Sequence, residues 1–286
     1  MLEAFRASQA TAITQTEFAR FRDFFYSKTG IRFEDNKRYF VDKRLLKRMQ
    51  ETGYGTFRGY FMALRFQASG EELQELTNEM TINETYFFRE EYQLECLVES
   101  ALNEVVKNKS LGDVIKIWSI PSSTGEEPYS IALYLLEHWD KIDDYDVEII
   151  SSDIDTKVLE KCEKGVYSAR SVKSLPQSLL KRYFKEHSHD KFEIDKGIRN
   201  VINFTHVNLT DTAQTKSYRD MDVIFCRNLL IYFGDASRRR AGEVFFDALR
   251  PGGFVFLGHS ESMSRISSLY KVKKFPKAIA YQKPSL

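Results

Sequence analysis

Cysteine is scarce in this chain: three in 286 residues, at positions 96, 162 and 226. The number is odd and no two form a C-x-x-C pair, so neither a disulfide framework nor a zinc or redox couple is expected, and reduced thiols are the default. No segment reaches the roughly 18 uninterrupted apolar residues that a membrane-spanning helix needs. Met1 to Thr16 carries no apolar stretch like that of a signal peptide, and the expected location is the cytoplasm. Charge of one sign is also missing. A net charge of +1 gives no general attraction to nucleic acid, so any electrostatic recognition must come from local patches.

What is present favours a compact, two-part protein. Hydrophobic residues make up 42% and charged residues 29%, with 22 Phe and 15 Tyr, which leaves ample apolar area to bury. From about Thr16 to Leu76 the apolar spacing is helical, interrupted by turn signals at Thr29-Gly30, Gly53-Tyr54-Gly55 and Ser69-Gly70, and a small helical bundle is expected. Asp35 or Asn36 can cap a helix running to about Thr52. On it Lys37, Arg44 and Arg48 fall in one stripe flanked by Lys47, beside an apolar face of Val41, Leu45 and Met49. Such a stripe is either a solvated face or a docking surface for an acidic helix. Docking is favoured by the scarcity of acidic partners along the helix, where only Asp42 interrupts the positive run.

Beyond about residue 110 short β-rich runs alternate with helical stretches, as in βαβ units around a parallel sheet. The expected strands are Val114 to Ile120, Val147 to Ser152, Met221 to Cys226 and Phe254 to Gly258, with Ile279 to Lys283 as a late antiparallel edge strand. Helices are expected over Ser130 to Trp139 and Arg238 to Leu249. One stretch breaks the alternation: Phe192 to Ile194, a turn at Asp195-Lys-Gly197, then Asn200 to Phe204, which has the pattern of a hairpin.

The most informative string is Ser122-Ser-Thr-Gly-Glu-Glu-Pro-Tyr-Ser130, set between the first strand and its crossover helix. Thr124 and Glu127 have capping-box spacing, and Gly125 permits a tight turn where a ligand can approach. A dinucleotide fold would place G-x-G-x-x-G here; this loop has one glycine and two carboxylates. Glu126 and Glu127 would repel a pyrophosphate but suit a cationic ligand, and S-adenosylmethionine carries an ammonium and a sulfonium. The competing reading is that both glutamates merely complement the helix dipole. Asp153, at the end of the second strand, is positioned to accept from ribose hydroxyls or to cap the next helix, for which Asp155 or Thr156 is better placed.

Five ordered strings then carry a resemblance: Asn83-Glu-Thr-Tyr-Phe-Phe-Arg89, Ser123-Thr-Gly-Glu-Glu-Pro-Tyr-Ser130, Ser152-Asp-Ile-Asp155, Cys226-Arg-Asn-Leu-Leu-Ile-Tyr-Phe233 and Leu257-Gly-His-Ser-Glu-Ser262. Together they resemble the CheR family of chemotaxis receptor methyltransferases. The resemblance implies an α/β, Rossmann-like S-adenosylmethionine-dependent methyltransferase domain over residues 81–286 with a small antiparallel β-subdomain inserted at about 166–206. An all-α N-terminal domain, residues 1–80, precedes it and docks the substrate. By similarity Asn83, Thr85, Arg89, Glu126, Asp153, Asn208, Leu209, Arg227 and Asn228 contact S-adenosylmethionine or its product S-adenosylhomocysteine, and Arg89 and Tyr232 are the catalytic positions. The implied partners are the cytoplasmic helices of methyl-accepting chemotaxis receptors, whose acidic faces Lys37, Arg44, Lys47 and Arg48 would dock. No nucleic acid, membrane insertion or metal is implied, and a structural hydrogen bond is preferred for His259.

Two departures qualify the match. Ile120-Pro-Ser122 stands where many relatives have glycine and cysteine. Lys185-Glu-His-Ser-His-Asp190 replaces the glycine-rich loop of relatives that tether to a receptor's C-terminal peptide, so tethering is not carried over. The implied reaction is esterification of glutamate side chains. An unperturbed glutamate, with a pKa of about 4.3, is already ionised at neutral pH and needs no general base, which accounts for the lack of a Ser-His-Asp or Cys-His constellation. The rival expectation is a non-catalytic scaffold of the same fold that binds the methyl donor or its product.

Overall fold

The computed structural model describes residues 12–285. The chain divides into two compact units. One holds the described residues up to Ile82 together with Tyr232–Ser237, and the other holds Asn83–Ile231 and the chain from Arg238 onward.

The first unit is built on four helices, α1 (Gln15–Thr29), α2 (Arg38–Glu51), α3 (Phe57–Phe66) and α4 (Glu71–Met80). Helix α1 starts on a capping box in which the Thr14 hydroxyl accepts from the Glu17 N–H while Glu17 accepts from the Thr14 N–H, satisfying two donors that a helix start leaves open. It stops at Gly30, whose φ of 75° is the left-handed conformation that glycine adopts without strain. Helix α2 corrects the expected capping. A 3₁₀ turn over Asp35–Lys37 leads into it, its N-cap is Lys37, and no side chain caps it. Its apolar face is the expected one, with Val41, Leu45 and Met49 fully buried.

The second unit contains a seven-stranded sheet in the order β6-β2-β1-β7-β8-β10-β9. Here β1 is Val114–Ser119, β2 Asp146–Asp153, β6 Ile202–His206, β7 Met221–Cys226, β8 Leu249–Leu257, β9 Lys271–Lys274 and β10 Ile279–Gln282. The first five named pair in parallel, while β10 runs antiparallel to both β8 and β9. Strand order reverses at β1, which puts a ligand crevice at the carboxyl ends of β1, β2 and β7. Trp118 of β1 is fully buried, stacks on Tyr218 at 4.3 Å and donates its indole N–H to the Ser152 hydroxyl at 2.9 Å. That contact ties the first two strands together just below the crevice.

Two expectations fail here. The late strand β10 is antiparallel, as expected, but the edge belongs to β9, whose four residues are three lysines and one valine and give little apolar signal. The expected hairpin over residues 192–204 does not form either: Lys196–Asn200 is a short helix, and β6 pairs in parallel with β2 at the far edge of the main sheet. The small sheet is instead β3 (Val166–Ser168), β4 (Phe184–Ser188) and β5 (Lys191–Ile194), in the order β3-β5-β4 and all antiparallel. Among the described residues no helix is long and apolar enough to cross a membrane, and the three cysteines are free and buried.

Candidate active site

The loop between β1 and its crossover helix, Glu126–His138, is pinned along its length. After a cis Ile120–Pro121 peptide, the Ser122 N–H donates to the Ser152 carbonyl at 2.7 Å and the Ser123 N–H to Asp153 Oδ2 at 2.8 Å. Gly125 has a φ of 98°, and a Cβ there would lie 2.7 Å from the Tyr167 hydroxyl and 3.2 Å from Cys162 Sγ. Only glycine satisfies both the torsion and the space.

The expected capping box is absent. Gly125 itself is the N-cap and no side chain caps the helix, because both glutamates are engaged elsewhere. Glu126 is 2% exposed; its Oε2 accepts from the Thr124 hydroxyl at 2.6 Å and its Oε1 from the Ser171 hydroxyl at 2.8 Å. Burial pushes its carboxyl up from the ordinary range, against the pull of those two hydroxyls. Glu127 accepts from the Ser119 hydroxyl at 2.8 Å and faces Arg227 Nη1 at 3.2 Å. The two carboxylates therefore separate in role: Glu126 lines a cleft, whereas Glu127 belongs to an ion pair beneath it.

That cleft has a volume of about 590 Å³ and is lined by Asn83, Thr85, Arg89, Thr124, Glu126 and Ser171 among others. Arg89 is held by its neighbours' backbone. Phe88 and Glu90 on either side of it adopt left-handed torsions of 60° and 53°, which are costly for residues with a side chain and persist where the surroundings enforce them. The Phe87 N–H donates to the Ser171 carbonyl and the Phe88 N–H to the Ser130 hydroxyl, both at 3.0 Å, and the Phe87 ring packs edge-on against Tyr167 and Phe184. A half-buried guanidinium calls for an anionic partner, yet Arg89 has no ion pair among the described residues. Its Nη1 donates to the Glu84 carbonyl at 2.8 Å, and its guanidinium remains half-buried at the cleft.

Asp153 is 3% exposed and sits at the end of β2. Its Oδ2 accepts from Ser123 and its Oδ1 from the Asp155 N–H at 2.9 Å. Burial pushes its carboxyl up to about 7, opposed by those two N–H donors. Asp155, as expected, caps the next helix by accepting from the N–H groups of Lys157 and Val158. Asn83 donates to Asp155 Oδ2 at 3.1 Å, so the Asn83 string and the end of β2 are joined.

Arg227 is not a free cofactor-facing group. Its side chain is 3% exposed and paired with Glu127 at 3.2 Å and Glu90 at 3.5 Å, and it also donates to the Arg89 carbonyl. It holds the floor beneath Arg89. The Asn228 N–H donates to Glu261 Oε2 at 2.8 Å, and Glu261 also accepts from the N–H groups of Gly258 and Ile231. His259 makes a structural contact to Glu90 at 3.4 Å rather than to Glu261. After β6, Asn208 accepts from the Thr210 N–H and hydroxyl, and Leu209 is buried. Tyr232 falls in the other unit, where its carbonyl accepts from the Arg32 N–H at 2.8 Å.

Ser171 and Glu90 were missed by sequence reasoning. Ser171 lies 45 positions from Glu126 with no pattern linking them, whereas Glu90 directly follows the Asn83 to Arg89 string and its position alone could have flagged it.

The basic stripe also needs correction. Arg44 Nε donates to the Glu79 carbonyl at 2.6 Å and its guanidinium lies 3.4 Å from the Phe40 ring centroid. Lys47 pairs with Glu79 at 2.8 Å, and Arg48 pairs with Glu72 of α4 and with Glu51. Only Lys37, in the 3₁₀ turn, stays exposed without an ion pair among the described residues. The partners of Lys47 and Arg48 are Glu72 and Glu79 on α4 and Glu51 at the end of α2, so these two charges are paired within their own unit.

A parallel sheet whose first loop offers a buried carboxylate to a cleft, with a second acid at the end of the next strand, defines an α/β domain suited to a nucleoside ligand with a cationic tail. S-adenosylmethionine fits that donor set: Glu126 suits its ammonium and Asp153 its ribose. Residues 83–279 match the family described as CheR methyltransferase, SAM binding domain, and residues 16–81 match CheR methyltransferase, all-alpha domain. The chain is 58% identical over 272 residues to chemotaxis protein methyltransferase 2 of Vibrio cholerae serotype O1, covering 95% of this chain and 94% of that one. It is 31% identical to the chemotaxis protein methyltransferase of Escherichia coli K12, covering 93% and 91%. Among solved structures, the N-methyltransferase NodS of Bradyrhizobium japonicum with S-adenosyl-l-homocysteine is 10% identical, covering 73% of this chain and 93% of that one with a TM-score of 0.39, too remote to argue from. This chain belongs to the CheR methyltransferase family.

Proposed function

We propose that this protein esterifies glutamate side chains on the cytoplasmic helices of methyl-accepting chemotaxis receptors, acting in the cytoplasm with S-adenosylmethionine as methyl donor. The observation that carries this reading is the Glu126 carboxylate, buried, fixed by two hydroxyls and presented to the same cleft as the Arg89 guanidinium. One group suits a cation and the other an anion.

Bound there, S-adenosylmethionine supplies a methyl group on a sulfonium, which a carboxylate oxygen accepts as the thioether leaves. Glu126 with Thr124 holds the amino-acid end, Asp153 the ribose, and Asn83 and Thr85 line the approach. Arg89 orients the acceptor carboxylate. No side chain has to take a proton, since the acceptor is ionised beforehand. The protein's task is to align the partners and exclude water, effects that contribute up to about 7 to 11 kcal/mol in favourable cases. Resemblance alone gives Tyr232 a catalytic part.

Incubation of receptor-bearing membranes with methyl-labelled donor, followed by mapping of base-labile methyl esters, tests the reading. Label on glutamates supports it. Uptake of S-adenosylhomocysteine by calorimetry with no label on any receptor would identify a binding protein instead.

A further inference from the structure

The residue that follows Arg89 is an acid that lies outside the cleft lining. The Glu90 side chain is 13% exposed and gathers contacts from three directions. Its Oε2 accepts from the Gln93 amide at 3.1 Å and the Tyr92 hydroxyl at 3.3 Å and faces Arg227 Nη2 at 3.5 Å, while its Oε1 faces His259 Nδ1 at 3.4 Å. The same Gln93 nitrogen donates to the Leu257 carbonyl at 2.9 Å. Glu90 thus ties the start of the helix Glu91–Cys96 to the carboxyl ends of β7 and β8.

Arg227 is the joint between this acid and Arg89. Its Nη1 faces Glu127 at 3.2 Å, and its Nη2 both faces Glu90 and donates to the Arg89 carbonyl. A guanidinium holds its donors in one rigid plane, so the two carboxylates that set the plane also set where the Arg89 carbonyl lies. The left-handed torsions of Phe88 and Glu90 leave the peptide units around Arg89 little room to relax. The far end of the Arg89 side chain is held by the Glu84 carbonyl of the same segment and lies 5.9 Å from the Tyr86 ring. Its direction is therefore set from the backbone.

We propose that Glu90 is a positioning residue for methyl transfer: through Arg227 it fixes the Arg89 backbone, and with it the direction from which the Arg89 guanidinium meets the acceptor carboxylate. This rests on the methyl-transfer reading given above. Glu127 closes the same clamp on Arg227 from the other side.

Two substitutions test it in the full chain. Glu90→Gln keeps the side chain's length and removes its charge. Glu90→Asp keeps the charge, suits the left-handed torsion better and withdraws the carboxylate by one methylene, so it carries the test should Glu90→Gln fail to fold. With methyl donor and receptor-bearing membranes, kcat should fall about tenfold in Glu90→Gln, the loss of one charge-assisted contact, and less in Glu90→Asp. Affinity for S-adenosylhomocysteine should change by less than about threefold. The same changes are then made on Arg89→Lys, whose ammonium has no planar fork to aim. A residue that acts through Arg89 adds no further loss there, whereas one that merely holds the fold lowers kcat by the same factor in both backgrounds. Equal factors in the two backgrounds, or wild-type kcat in the folded variants, would overturn the proposal. If the wild type binds S-adenosylhomocysteine but labels no receptor, the reading of the chemistry fails and Arg89 itself becomes the readout. Phenylglyoxal should then modify Arg89 faster in the Glu90 variants than in the wild type, measured by peptide mass spectrometry, and equal rates would overturn the positioning role.

Discussion

Arg48 and Glu72 meet at two points, Nε to Oε1 at 3.0 Å and Nη2 to Oε2 at 2.5 Å, with side chains 11% and 12% exposed. The Tyr60 hydroxyl adds a third donor to Glu72 at 2.7 Å. Hydrogen bonding to Glu72 raises the guanidinium's pKa further, so Arg48 stays charged. Removing one partner strands the other. Arg48→Ala should lower the unfolding free energy by about 1 to 3 kcal/mol, and Arg48→Ala with Glu72→Ala should cost less than the two single changes summed. Denaturant titration checks both, and an unchanged midpoint in Arg48→Ala would return the stripe to the role of a free docking face.

Glu126→Gln keeps the shape of the side chain and removes its charge. Loss of one charge-assisted hydrogen bond to an ammonium should weaken S-adenosylhomocysteine binding by about ten- to a hundredfold, read by calorimetry. Glu127→Gln should leave that affinity closer to wild type and lower stability instead, since it weakens the pair with Arg227.

Asp153 gives a pH signature. Unfolded, its carboxyl ionises near pH 4, whereas in the fold burial pushes it up to about 7. Between those values the native state holds a proton that the unfolded chain has released. Its contribution to stability is therefore full below about pH 4 and is lost as pH rises through about 7. Asp153→Asn should shed this slope, so the stability difference between variant and wild type moves in the variant's favour from pH 4 to pH 7 in denaturant titrations. In the wild type, ribose hydroxyls favour the ionised acceptor, so S-adenosylhomocysteine should bind more tightly as pH rises through about 7. A variant with the same pH slopes would remove Asp153 from both roles.

Gly125→Ala places a methyl group against the Tyr167 hydroxyl at a backbone torsion that alanine resists. Stability should fall by more than about 1 kcal/mol, and affinity for S-adenosylhomocysteine should fall with it, because the displaced loop carries both Thr124 and Glu126. Thermal unfolding and calorimetry on the same sample separate the two effects.

The parallel strands were legible because β1, β2 and β7 are apolar runs bounded by polar turns, and their periodicity is local information. The site loop was legible for the same reason: strand, turn, glycine and acids lie within one short stretch. What escaped depended on pairing across distance. Residues 192–194 and 200–204 read as a hairpin from adjacency, yet β6 finds β2 and β5 finds β3 and β4. The Glu79 carbonyl and carboxylate and the Glu72 carboxylate, which engage Arg44, Lys47 and Arg48, sit on a helix some thirty residues downstream, invisible to a reading of α2 alone. Ser171 reaches Glu126 from the inserted subdomain by the same kind of tertiary contact.

The grouping of Tyr232–Ser237 with the first unit has a bearing on protein engineering. A cut at residue 82 would separate Ile31 from its bridge to Phe233 and leave the Arg32 N–H without the Tyr232 carbonyl. Chimaeras that swap the helical unit between relatives must therefore transplant this downstream hexapeptide as well, and Tyr232, proposed for chemistry on resemblance alone, travels with the scaffold of the donor.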